Sequence, residues 1–112
     1  MTQHFNGLDE ADAEALALLA EEAGEIVQAA MKCLRHGLRS HNPLIDDGVN
    51  DPPTNGADLS KEIGQLYVAI GILINAGVLS KTEIEKARDA KMSTIGKWLH
   101  HARVNGRAAE GK

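Results

Sequence analysis

Apolar residues recur at helical intervals in three stretches of the chain. Leu16, Leu19, Ala23, Ile26, Val27, Ala30 and Leu34 fall on one face of a helix running from about Asp9 to His36. Asp9, Glu10 and Asp12 stand at its start, and Lys32, Arg35 and His36 near its end. That order of charge favours the helix dipole, and Gly37 follows as a stop. Leu59, Ile63, Leu66, Ile70, Leu73 and Ile74 predict a second helix from about Ala57 to Ala76, with Asn55 as its N-cap and Gly77 past its end. Ile84, Ala87, Ile95, Trp98 and Ala102 predict a third from about Lys81 to Arg103. Ser80 and Glu83 form a capping box at its start. Residues 38–57 hold all three prolines, Pro43, Pro52 and Pro53, among Asn, Asp and Gly, so they read as a long loop lying over a site. Residues 104–112 read as a frayed tail, and the chain has no internal repeat or low-complexity block.

Two polar interruptions change this picture. On the first helix Glu22 and Glu25 share a strip with Leu18, Ala29 and Cys33, so the strip is not a solvated face. Glu21 points further out. On the second helix Asp58, Glu62, Gln65, Ala69, Ile72 and Ala76 lie beside the main stripe, and the helix is apolar nearly all round. A buried glutamate needs a partner, because an unpaired buried charge is very costly. Divalent metal ions are the simplest common partner for converging carboxylates. Most helical glutamates are simply solvated, but two acidic clusters on two apolar strips favour a site.

The third helix carries the opposite charge. Arg88 and Lys91 fall inside its apolar face, and Lys97 and Arg103 lie nearer its polar side. Stems snorkelling along the core edge and contacts to phosphate account for Arg88 and Lys91 equally well. His100 and His101 read as surface residues. His36, His41, Asp46, Asp47 and Asp51 match no metal-ligand spacing, and Cys33 reads as a small buried side chain.

Composition narrows the function. The chain has 112 residues, enough for one small domain, here placed at 1–103. Phe5, Tyr67 and Trp98 are its only aromatics, so the core must be aliphatic, which suits an all-α fold. A net charge of −4 argues against a general nucleic-acid binder. One cysteine permits no intrachain disulfide, which points to a reducing, cytoplasmic setting. The polar, acidic N-terminus is unlike a signal peptide, and the longest apolar run, 66–74, is too short to span a bilayer. Apolar character on more than one side of two helices predicts a homo-oligomer, a dimer or tetramer.

"EEAGE" at 21–25, followed on the next helix by "KEIGQ" at 61–65, resembles the MazG-like all-α nucleoside triphosphate pyrophosphatases. The resemblance runs from about Leu16 to Arg103. "LLAEEAGEIVQAAMKCLRHG", "DLSKEIGQLYVAIGILINAGVL" and "KWLHHAR" are most similar to short phage-encoded members. It implies a MazG-like helical bundle, three main helices per chain completed by oligomerisation. It implies Mg²⁺- or Mn²⁺-dependent cleavage of a nucleoside triphosphate, between its α and β phosphates, into monophosphate and pyrophosphate. The family motif is Glu-Glu-x-x-Glu and then Glu-x-x-Asp. Glu22, Glu25 and Glu62 match metal ligands, and Glu21 matches a glutamate that orients or deprotonates the attacking water. Lys91, with Arg88 or Lys97, falls where basic side chains hold phosphates. Gln65 stands where the family has aspartate, and offers a carbonyl oxygen but no charge. Asn42, Asn50 and Asn55 are available to a base, and a guanine nucleotide is the first choice.

Three other readings compete. One is a non-catalytic nucleotide-binding or interaction protein of the same fold, which Gln65 favours. Another is a phosphoribosyl-ATP pyrophosphatase-like enzyme. A di-iron bundle ranks lowest, because no histidine lies three residues after a glutamate.

Overall fold

A computed structural model describes residues 6–41, 52–101, 103–104 and 107–108. Among the described residues the chain is helical, with three α-helices: α1 (Glu10–His36), α2 (Asn55–Asn75) and α3 (Lys81–Thr94). It divides into two compact units, 1–78 and 79–112. Among the described residues no helix is long and apolar enough to cross a membrane.

The first unit is the pair α1 and α2. Asp9 caps α1 by accepting a hydrogen bond from the Asp12 amide, and Gly37, at φ 92°, ends it. A side chain at Gly37 would be strained at that φ. Thr54, not Asn55, is the N-cap of α2, and its hydroxyl accepts from the Ala57 amide.

Asn55 lies one residue inside α2 and is buried for another purpose. Its side-chain amide donates to the Gly37 carbonyl at 3.1 Å and to the Ser40 hydroxyl at 3.2 Å. Its backbone amide donates to the Ser40 carbonyl, and that of Gly56 to the Leu38 carbonyl, both at 2.8 Å. These bonds tie the end of α1 to the start of α2 and satisfy groups that helix termini leave unpaired. Asn55→Ala is expected to lower stability by about 1–2 kcal/mol, because it removes two hydrogen bonds that join the helix ends. Urea unfolding measures this, and an unchanged midpoint would contradict the role.

The face by which α1 meets α2 differs from its main apolar stripe. Glu22 and Ala29 are the buried residues of α1, and Ala69 and Leu73 of α2 are fully buried. The strip carrying the carboxylates is therefore the inner face of this unit. Val27, 63% exposed, and Leu34, 77% exposed, point away from it, although both belong to the main stripe. Small residues on the inner strip let the helices approach.

The second unit begins with Ser80, whose hydroxyl accepts from the Glu83 amide and caps α3 as predicted. The helix stops at Thr94, well before Arg103, and a 3₁₀ turn covers Ile95–Lys97. Ser93 and Thr94 explain the early stop. Their hydroxyls donate back to the carbonyls of Ala90 and Lys91, which competes with helix continuation. Gly96, a weak helix former, follows. Instead of helix or frayed tail, Arg103–Val104 pairs antiparallel with Arg107–Ala108.

Candidate metal centre

Three of the predicted site residues come together. Glu22 and Glu25 are three residues apart on α1, so both project toward α2. Glu62 meets them from α2, and one carboxylate oxygen of each lies within 4.8 Å of the others. Glu22 is nine-tenths buried, and Glu25 and Glu62 are half-buried.

The cluster is short of partners. Oε2 of Glu22 and Oε2 of Glu62 are buried and accept no hydrogen bond. Lys61 Nζ approaches the other oxygen of Glu62 at 3.8 Å, but the lysine is largely exposed and neutralises little. Glu25 registers the crowding. Its pKa is raised from 4.5 to about 7, first by hydrogen bonding to Glu62, then by the Glu62 charge, by desolvation, and by Glu22 and Glu21. Two adjacent carboxylates that share a proton behave in this way.

The donor set fits a hard divalent cation. Such ions prefer carboxylate oxygens, and these three supply them from two rigid helices. The orphaned Oε2 atoms of Glu22 and Glu62 would gain the partner they lack. The carboxylates border an open cleft of about 310 Å³, whose walls include Glu25, Glu62 and Asp58. That volume lies at the lower end for small-molecule sites.

The other predicted residues fall as follows. Glu21 is exposed on α1, beside the cluster in sequence but outside the group of three. Gln65 is exposed on α2, one turn beyond Glu62. Asn55 lines the cleft, with its side-chain N–H groups already committed to Gly37 and Ser40. Arg88, Lys91 and Lys97 stand exposed in the second unit, where Arg88 pairs with Asp89 at 2.9 Å. Asn42 and Asn50 lie outside the described residues, as do Asp46, Asp47 and Asp51.

Three cleft residues were not read as part of a site from the sequence: Gln28, Lys32 and Lys61. A signal existed. Lys32 follows Glu25 by seven residues, about two turns, and so returns to the same face. Its position near the end of α1 had an adequate explanation in the helix dipole.

No protein-family model, curated protein sequence or solved structure matches the chain.

Proposed function

We propose that the protein is a metal-dependent nucleoside triphosphate pyrophosphohydrolase. It converts a (d)NTP and water to the monophosphate and pyrophosphate. The observation that carries this reading is the convergence of Glu22, Glu25 and Glu62, with a buried, unpartnered oxygen on Glu22 and on Glu62, beside an open cleft that Glu25 and Glu62 line. The order of "EEAGE" and "KEIGQ" along the chain, which resembles the MazG-like enzymes, supplies the reaction.

Glu22, Glu25 and Glu62 would hold Mg²⁺ or Mn²⁺. When bound, the metal offsets phosphate charge and makes water a better nucleophile. Glu21, exposed at the edge of the cluster, orients or deprotonates the water that attacks the α-phosphorus. The resemblance implies phosphate-holding roles for Lys91, with Arg88 and Lys97, all in the second unit. Glu25 would shed its proton on binding the metal, so metal affinity is expected to rise with pH while Glu25 titrates. A guanine nucleotide is the first substrate to try.

A homo-oligomer accompanies this reading. Val27, Leu34 and Leu38 of the first segment, and Tyr67 and Val68 of α2, are each at least 60% exposed. A second copy is the simplest cover for so much apolar surface.

Gln65 bears on the rate. Gln65→Asp adds a carboxylate one turn from Glu62 on α2, and turnover is expected to rise several-fold if the native site is one charge short. An unchanged or lower kcat would show that no ligand is missing there. The reading as a whole is tested by incubating the protein with each (d)NTP and Mg²⁺ or Mn²⁺. Nucleotide binding without turnover under any of these conditions would favour the non-catalytic alternative.

A further inference from the structure

The cleft wall carries both signs of charge, and only its acids have been given a role. Lys32 of α1 and Lys61 of α2 form part of its wall, facing the space that Glu25, Glu62 and Asp58 also border. Both lysines are exposed, and both belong to the same unit as the carboxylates. Lys61 Nζ is 3.8 Å from Glu62 Oε1, which places its charge at the edge of the carboxylate cluster. Lys32 lies about two turns beyond Glu25 on the same face, roughly 10 Å further along α1. Among the described residues it forms no ion pair.

A lysine placed only to offset the acids would pair with them. Lys32 stands away from them instead, and Glu22 keeps an oxygen buried and unpartnered. A cleft lined by both carboxylates and ammonium groups suits a ligand that itself carries both charges: a divalent cation chelated by an anion. The carboxylates take the cation through hard oxygen ligands. The ammonium groups, as mobile point charges, suit phosphate oxygens.

We propose that Lys32 and Lys61 bind phosphate oxygens of a metal-chelated polyphosphate whose cation lies among Glu22, Glu25 and Glu62. The assignment rests on the metal-dependent reading of the carboxylates. It places phosphate binding in the first unit, on residues with no counterpart in the motifs that suggested the activity. The lysines are binding residues for the diphosphate portion of the substrate.

The test uses the full chain and two probes, Mn²⁺ alone and inorganic pyrophosphate with Mg²⁺ in excess, each followed by calorimetric titration. For the double variant Lys32→Ala/Lys61→Ala, pyrophosphate affinity is expected to fall about tenfold or more. Mn²⁺ affinity stays the same or rises, because a neighbouring positive charge has gone. Lys32→Arg/Lys61→Arg retains most of the pyrophosphate affinity. A merely structural role would weaken both ligands together, and that result overturns the proposal. Pyrophosphate binding unchanged within twofold, or no binding to the parent protein, overturns it as well. Neither probe requires turnover. Lysine-dependent pyrophosphate binding in a protein that hydrolyses no nucleotide would therefore sustain this assignment while the hydrolase reading failed.

Discussion

Replacing Glu25 with glutamine is expected to lower nucleotide turnover by more than about 100-fold, since even residues that only support metal ligands are worth 10–100-fold. Glu25 stands between Glu22 on its own helix and Glu62 on the next. Glutamine preserves its size and one oxygen but removes the charge that draws the cation. The loss should appear in kcat, and raising the Mn²⁺ concentration should restore only part of it. A neutral amide at this position can still donate a hydrogen bond to Glu62 and places no charge beside it, so the helix pair should pack at least as well as before. A folded Glu25→Gln variant with wild-type turnover would show that these carboxylates do not hold a catalytic metal.

Metal-free protein is expected to lose thermal stability as the pH rises from about 5 to about 8, and Mn²⁺ to reverse the loss. Glu25 binds its proton more tightly in the folded chain than in the unfolded one, where its pKa is near 4.5. Its favourable contribution is therefore complete below about pH 4.5 and disappears as the pH passes through about 7. Above that pH three like charges confront one another across α1 and α2. A divalent ion present at about 100 times its Kd should then raise Tm by roughly 10 °C for a chain of this size. Two further results follow from the same charges. At pH 8, metal-free Glu25→Gln should melt higher than metal-free wild type, and it should gain much less from Mn²⁺. A wild-type Tm that rises from pH 5 to 8 without metal, or a metal shift equal in both proteins, would contradict this account.

Much of the fold was legible because local signals agreed with one another. Gly37 and Ser80 stop and cap helices where their residue types and neighbours predicted. Convergence of Glu22, Glu25 and Glu62 was also legible, since a carboxylate beside Ala29 and Leu18 is in poor company for solvent.

What escaped depended on tertiary choices. Periodicity identified two candidate faces on α1 but could not rank them. The wider stripe with Val27 and Leu34 looked like the core, and the narrower one with Glu22 and Ala29 packs against α2. Close approach of α1 and α2 needs small residues, which a count of apolar side chains undervalues. Asn55 has the chemistry of an N-cap, yet Thr54 occupies that place and frees Asn55 to join the helix ends. The stop at Thr94 had a local cause in Ser93 and Thr94, outweighed in the sequence by Ile95 and Trp98 at helical spacing.

The central claim is tested most directly by following one reaction in ¹⁸O-water. The purified protein is incubated with dGTP and Mn²⁺, and the products are separated and weighed by mass spectrometry. Attack on the α-phosphorus predicts dGMP carrying one ¹⁸O atom and unlabelled pyrophosphate, in equal amounts. If dGTP is not the substrate, the same pattern should appear with another (d)NTP. Labelled orthophosphate with dGDP, or no turnover of any nucleoside triphosphate with either metal, would contradict the account.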